Sequence, residues 1–469
     1  MENMENGRRK FFKGIAGAGV FAALPLARGN TGDYSKIKTI AECDICVLGG
    51  SCTGVFAAVR AARMDAKVVI AERQNGFGGV ASNALVNVWH TLLDCEFKKE
   101  IIAGLTLEVI ERLKKRDAVK TSSKNQSVGF VLNTMELKTE LDELVLESKV
   151  KPYLHTLFSE PFFENGKLAG VIVDNKSGRG IIRASYFIDA TGDADLCRRM
   201  SLETYKYSQV QPPTTCAHIS GFNLKSYNEM RAKHREELDI PRGFTWGNKL
   251  NSAGDVWMLN GTRVLDRDMS DADDLTFAEM EGRRQVRVVM DKYRQYVNKD
   301  AALITLPSCI GIRDSVHVKC LHRIKEDETM NGAHYDDAIA NGSYRLDLHH
   351  QDKPGLTFYY LDGSAVYLSQ INPPEEFRWR QEIAVNPTFY QVPLRALIPQ
   401  NSENVITAGR MLDADVLSFS GIRVMVNMNQ LGEAAGVTCV LTLSKKCAIK
   451  DVPASEVRAT LAKGGSIII

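Results

Sequence analysis

Residues 44–84, DICVLGGSCTGVFAAVRAARMDAKVVIAERQNGFGGVASNA, restrict the fold more than any other part of this chain. Ile45, Cys46, Val47 and Leu48 form an apolar run of strand length, and Gly49-Gly50 ends it abruptly. Val55, Ala58, Val59 and Ala62 then recur at three- and four-residue spacing, as on a helix with one buried face. A second apolar run over 67–71 ends at Glu72. Strand, glycine turn, helix and a strand closed by a carboxylate make a βαβ unit suited to a dinucleotide. Gly49 permits the tight turn, and Gly54 lets the helix lie close to the strand. The free N–H groups at the helix start face a pyrophosphate, and Glu72, about 20 residues downstream, accepts from a ribose hydroxyl. Ser51 stands where such turns usually carry their middle glycine, and its hydroxyl can donate to the same phosphate oxygens. The nucleotide-binding candidates here are Gly49, Gly50, Ser51, Cys52, Thr53, Gly54, Glu72 and Arg73. Gly78, Gly79, Val80 and Ala81 of the next glycine-rich loop join them.

With 469 residues, 44% apolar and 25% charged, the chain has ample material for a large core and two or three structural units. Its net charge of +2, with no basic block interleaved with aromatics, argues against nucleic acid as a partner. The N-terminus carries Arg8-Arg9-Lys10-Phe11-Phe12-Lys13 before a weakly apolar run over 14–26. That run is too short to span a bilayer and suits the central region of a signal peptide, and the whole resembles a twin-arginine signal. The route exports folded proteins, so a periplasmic location with no stable membrane span is expected. A basic tail on a cytoplasmic protein is the alternative. Residues 1–38 are therefore set apart as signal and linker. Ten cysteines are scattered along the chain. Cys43 and Cys46 have C-x-x-C spacing, but no second pair of cysteines or histidines completes a zinc pattern, so no metal site is expected.

Further along, helical patterns are expected over about 98–116, and Asn133 or Thr134 can cap a helix striped by Leu137, Leu141, Leu144 and Val145. Strand-like runs over 153–158, 168–174 and 181–188, parted by Asn165-Gly166 and Ser177-Gly178, predict a β-meander. It empties into Asp189-Ala190-Thr191-Gly192-Asp193-Ala194-Asp195. A long helix is expected over 273–297 and a polar stretch over 325–353, with His349-His350 in a solvated loop. Trp379, between Arg378 and Arg380, reads as part of an exposed loop. Near the C-terminus a strand over 404–408 ends at Gly409, and Ile422 begins a long helix through Val426, Leu431, Ala434, Ala435 and Val440.

Together these motifs resemble the bacterial FAD-dependent oxidoreductase family of two-dinucleotide-fold flavoproteins, loosely related to fumarate reductase flavoprotein subunits. Middle segments in the matching order are Gly261-Thr262-Arg263-Val264, Glu281-Gly282-Arg283-Arg284-Gln285 and Gly311-Ile312-Arg313-Asp314-Ser315. Later ones are Tyr390-Gln391-Val392-Pro393-Leu394-Arg395, Ala408-Gly409-Arg410 and Gly421-Ile422-Arg423-Val424-Met425. The resemblance covers about residues 42–463 and implies an α/β fold: a Rossmann-like FAD-binding domain of the glutathione-reductase-like type, with an inserted α+β substrate domain. The implied division is 39–204 for the first part of the FAD domain, 205–388 for the substrate or cap domain, and 389–469 for the last part of the FAD domain.

The resemblance also implies FAD contacts from Leu157 at the adenine, from Ala190, Thr191 and Gly192, and from Gly409, Arg410, Gly421, Ile422, Arg423 and Val424. Arg423 and the helix start beside it would stabilise negative charge on the reduced ring. No histidine lies in the loop over 78–84, so covalent histidyl attachment has no candidate there. His317 and Val318 stand where the family commonly has two arginines. Hydride exchange between a small-molecule substrate and flavin N5 needs proton transfer and charge stabilisation. The catalytic candidates are His90, Arg313, Tyr390, Arg395 and Arg423, with His218 also considered. Electrons would come from the substrate or from a separate redox partner. An electron-transfer subunit, or a binding protein that has lost the cofactor, stays open as another reading.

Overall fold

Burial on both faces explains the unbroken apolar runs, since a strand in the middle of a parallel sheet has no solvent side. The computed structural model describes residues 34–122, 124–369 and 372–469; the twin-arginine-like motif lies outside them. Five parallel strands form the floor: β1 (Ile45–Leu48), β2 (Val68–Ala71), β3 (Lys151–Tyr153), β4 (Tyr186–Asp189) and β5 (Val405–Thr407), in the order β5-β4-β1-β2-β3. The central strand β1 pairs Ile45 with both Val68 and Tyr186, and its four side chains are at most 1% exposed. Helix α1 (Cys52–Ala62) returns the chain from β1 to β2 and buries Val55, Ala58 and Val59 as its spacing requires.

The meander is real but differently bounded. Its strands are Leu157–Glu164, Lys167–Asn175 and Gly178–Arg183, while the flanking runs belong to the parallel sheet as β3 and β4. The apolar run over 181–188 is cut at Ala184-Ser185 because its two halves serve different sheets. Asn133 caps the helix Thr134–Glu147 by accepting from Met135 and Glu136, and Leu137, Leu141, Leu144 and Val145 are all buried.

The cap begins with a closed stem. Thr204–Tyr205 pairs antiparallel with His317–Val318, and Lys319 N donates to Glu203 O. Between the stem strands lies a four-stranded antiparallel sheet of Trp246–Lys249, Val256–Asn260, Cys216–Ser220 and Ala302–Thr305. Helix α2 (Ala272–Tyr296) packs on it through Val286, Val289, Met290 and Tyr293, against Ile219 and Phe222. A second antiparallel sheet follows: Leu346–His349, Leu356–Tyr359, Ser364–Leu368 and Glu375–Arg378. The polar stretch over 325–353 thus contains the strands Ala338–Gly342 and Leu346–His349, and His349 ends a strand instead of standing in a solvated loop. Trp379 follows the edge strand Glu375–Arg378 and donates from its indole to Tyr360 O.

The long C-terminal helix, α3 (Met425–Lys445), starts three residues later than its apolar pattern suggests. Ile422 instead ends a separate short helix, Val416–Ile422, and Val424 breaks the chain between the two with an extended ψ of 145°. α3 lies tightly on α1: a Cβ on Gly432 would stand 2.1 Å from Thr53 O, and one on Gly436 2.4 Å from Ala57 O. Residues Thr39–Ile469 form one compact unit. Among the described residues no helix is long and apolar enough to cross a membrane.

Candidate functional site

β1 hands the chain to Gly49, which turns with φ +97°, a conformation that disfavours a side chain, and a Cβ there would lie 2.3 Å from Ala190 O. Gly54 meets the turn so closely that a Cβ would be 2.0 Å from Gly49 O. Ser51 is the N-cap of α1, its Oγ accepting from Gly54 N at 3.3 Å. The serine in place of glycine therefore serves the helix start. The first-turn N–H groups of α1 have no intrahelical acceptor, and Cys52 and Thr53 line a cavity of about 780 Å³.

Glu72, at the end of β2, lines the same cavity, but its carboxylate also holds the turn together by accepting from Gly50 N and from Gln74 N. Across the cavity, Asp193 pairs with Arg410 at 2.5 Å and with Arg73 at 3.8 Å. Burial alone would raise the Asp193 pKa; Arg410, Ser315 and Arg73 overcome it and keep the carboxyl below its ordinary range. Arg73, Gly78, Gly79, Val80, Ala190, Thr191, Gly192, Gly409 and Arg410 all line this end.

The other end is strongly cationic. The strand Leu346–His349 follows Arg345, and its period of two puts Arg345, Asp347 and His349 on one face. All three line the cavity, with Arg313 and Arg423 opposite. Arg423 Nη2 lies 3.5 Å from Asp347 Oδ2 and 3.3 Å from its backbone oxygen. Arg345 stacks 3.7 Å over the Phe358 ring and donates to Ser127 Oγ at 2.7 Å. Arg313 donates to Pro212 O at 2.6 Å, and burial, with Arg423 and Arg263 nearby, pushes its pKa down to about 9.

Burial opposes ionisation of Asp347, yet His349, Arg423 and Arg345 hold its carboxyl well below the usual range. Burial also pushes His349 down to about 3, so the ring is neutral at physiological pH. Its Nδ1 faces the Arg263 guanidinium at 3.2 Å and must accept. The ring proton is therefore on Nε2, 3.4 Å from Asp347 Oδ1. His90, 4.0 Å from the Tyr344 ring, is likewise pushed down to about 3 by burial and by Arg345.

Several candidates named from sequence do not reach this cavity. Tyr390 is wholly buried, its hydroxyl donating to Tyr344 O and facing Asn427. Arg395 is tied in an ion pair with Asp337 beside Tyr335. His218 lies inside the cap sheet, 3% exposed. Leu157 is 53% exposed and lines no part of the cavity. Gly421 and Ile422 sit in the short helix behind the wall, as Gly50, Gly54 and Ala81 sit behind the turn and loop. His317 and Val318 are buried in the stem, with His317 Nε2 3.0 Å from Asp314 Oδ1. Sequence reasoning passed over Arg345, Asp347, His349, Asn83 and Asn429. The alternation Arg345-Leu346-Asp347-Leu348-His349 was the available signal.

Two buried amides in the cavity wall, Asn429 with both polar atoms and Asn83 through Oδ1, have no hydrogen-bond partner among the described residues. At the helix break, Val424 and Met425 present the first turn of α3 to the cavity, a favourable place for negative charge. Orphaned amides, two helix N-termini and a wall without side chains at Gly49 fit a dinucleotide stretched between α1 and α3. The fold and cavity thus define a dinucleotide-binding α/β protein. The chain belongs to the FAD-dependent oxidoreductase family, whose model, FAD dependent oxidoreductase, matches residues 44–461; its cofactor is FAD and its chemistry is redox.

Among solved structures, a geranylgeranyl bacteriochlorophyll reductase-like protein from Thermoplasma acidophilum is similar at 11% identity, covering 91% of this chain and 84% of that one with a TM-score of 0.44. A flavin-dependent brominase is similar at 11% identity, with 91% and 84% covered and a TM-score of 0.45. A p-nitrophenol 4-monooxygenase from Pseudomonas putida is similar at 10% identity, with 88% and 83% covered and a TM-score of 0.43. No curated protein matches the chain.

Proposed function

We propose that this FAD-dependent oxidoreductase exchanges a hydride with a small organic substrate held under the cap, using non-covalently bound FAD. The supporting observation is that one cavity joins the glycine turn and Glu72 to Arg423, Met425 and Asn429, and continues between the cap residues Trp246, Asn260 and Phe358. Bound FAD supplies the hydride-exchanging ring. The protein's part is to place and polarise. Gly49 and the α1 start would admit the pyrophosphate, Glu72 would receive a ribose hydroxyl by exchanging its Gly50 contact, and Asn429 would offer its free amide to the flavin. Arg423 stabilises negative charge beside α3, and neutral His90 offers one donor and one acceptor for the substrate's proton.

The meander between β3 and β4 supports the glutathione-reductase-like type of FAD domain. Export by the twin-arginine-like N-terminus to the periplasm, and reoxidation by a separate electron acceptor, complete the reading. The test is the visible spectrum of purified protein before and after denaturation. A band near about 450 nm that leaves with the small-molecule fraction on denaturation is expected. Anaerobic bleaching on substrate addition then identifies turnover. A protein that stays colourless after incubation with FAD overturns the reading.

A further inference from the structure

Beyond redox chemistry, the cap end of the cavity specifies a charge. Three arginines, Arg313, Arg345 and Arg423, line it, and Asp347 is the acid among them. The cavity's other acids are elsewhere: Glu72 at the glycine turn, and Glu279 tied to Ile310 N and Arg283. A fourth arginine, Arg263, stands behind His349 and is 5% exposed. Both histidines of this end, His90 and His349, are neutral at physiological pH, so they neither add to this charge nor cancel it.

The donors are underused. Each guanidinium carries five N–H groups. Among the described residues Arg313 donates only to Pro212 O, a neutral acceptor. Arg345 donates to Ser127 Oγ and keeps a buried Nε without a partner. Arg423 reaches Asp347 from Nη2 only at 3.3 Å or more, and its Nε is also buried and unpartnered. Partly buried cations that face one cavity with so few protein acceptors favour an anion there. Beside them the wall is apolar and aromatic, with Phe358, Leu356, Trp246 and Phe244.

We infer that the substrate is a small carboxylate, its carboxyl group gripped by Arg313 and Arg345 and its apolar part laid against Phe358 and Trp246. This rests on the reading of the cavity as a substrate site next to FAD. Asp347 then serves as the counter-ion that keeps Arg423 oriented toward the ring while the other two arginines face the substrate. A planar guanidinium can meet a carboxylate through two parallel N–H bonds, which a neutral amide cannot reproduce.

The experiment is calorimetric titration of the purified protein, its flavin content first read from absorbance, with benzoate and succinate against their neutral isosteres benzamide and succinamide. At least one carboxylate is expected to bind tighter than its amide by about tenfold or more, with binding that weakens as salt rises. Arg313→Gln should remove that preference while flavin content stays unchanged, and Arg313→Lys should restore part of it. Wild-type protein that carries flavin yet takes carboxylate and amide equally, or takes neither, overturns the inference and leaves the FAD reading standing. Protein without flavin fails the earlier reading instead, and its carboxylate preference still decides this one.

Discussion

The contact between α1 and α3 can be tested by adding one methyl group. In Gly432→Ala the new Cβ would stand 2.1 Å from Thr53 O, 2.9 Å from Thr53 C and 3.1 Å from Thr53 Cα. All three are backbone atoms, so no rotamer change relieves them, and the helices must part by about 1 Å to reach ordinary contact. Overpacking of this kind costs about 1–3 kcal/mol, and alanine's better helix propensity returns at most about 1 kcal/mol. Net destabilisation of about 1–2 kcal/mol is expected. The functional effect should exceed that, because Thr53 on α1 and Asn429 on α3 both line the cavity and would move apart. FAD affinity should fall by about tenfold or more. Thermal unfolding of the apoprotein and fluorescence titration with FAD measure the two effects separately. A variant with unchanged melting temperature and unchanged FAD affinity would show that the helices do not meet as closely as described, and the placement of Asn429 would fall with it.

Asn429→Leu removes an amide that has no partner among the described residues; apoprotein stability should hold or rise, while FAD binding weakens by about 1–3 kcal/mol, as comparison of melting and titration will show. Arg60→Met takes the cation from the carboxylate of Glu433, whose side chain is 1% exposed and is left with only the neutral donors Leu105 N and Ser466 Oγ, and should lower stability by about 3–5 kcal/mol in denaturant unfolding. His349 titrates at an ordinary 6.5 when unfolded and at about 3 when folded. The unfolded chain therefore takes the proton first, and the stability owed to the neutral ring is full above about 6.5 and lost as pH falls toward about 3. The gap in melting temperature between wild type and His349→Asn should accordingly narrow on acidification; a constant gap would contradict the burial argument.

What could be read from the sequence was what local geometry dictates. Gly49, Gly54 and Glu72 announce themselves because turn, close approach and carboxylate fall within one βαβ unit, and the cap of Asn133 lies two and three residues from the groups it binds. Tertiary choices were less visible. The run over 181–188 is apolar except for Arg183 and Ser185, and one charge and one hydroxyl do not by themselves say that Ala184-Ser185 divides two sheets. The apolar pattern through Ile422 likewise hides the break at Val424, which is a matter of one ψ angle. Tyr390 and Arg395 carry suitable chemistry but are spent on Tyr344, Asn427 and Asp337, partners between 37 and 58 residues away in sequence. The most instructive oversight is Arg345-Leu346-Asp347-Leu348-His349. Its charges suggest a solvated loop by composition, whereas its alternation fits a strand with one polar face turned inward.

The stem at the base of the cap has a consequence for how such a protein can be rebuilt. Because Thr204–Tyr205 and His317–Val318 are hydrogen-bonded to each other, the two ends of the segment between them meet at one place. The segment between them, including Trp246, Asn260 and Arg313 of the cavity wall, also leans on its surroundings: Ser308 N donates to Asn83 O, Asn133 Nδ2 to Asn251 O, and Arg263 faces His349. A segment whose ends already meet can be exchanged for another without re-threading the rest. The insert over 206–316 is thus a cassette. Swapping it between relatives, with the clasp residues and the contacts of Ser308, Asn251 and Arg263 kept, is a route to new substrate preference on an unchanged cofactor platform.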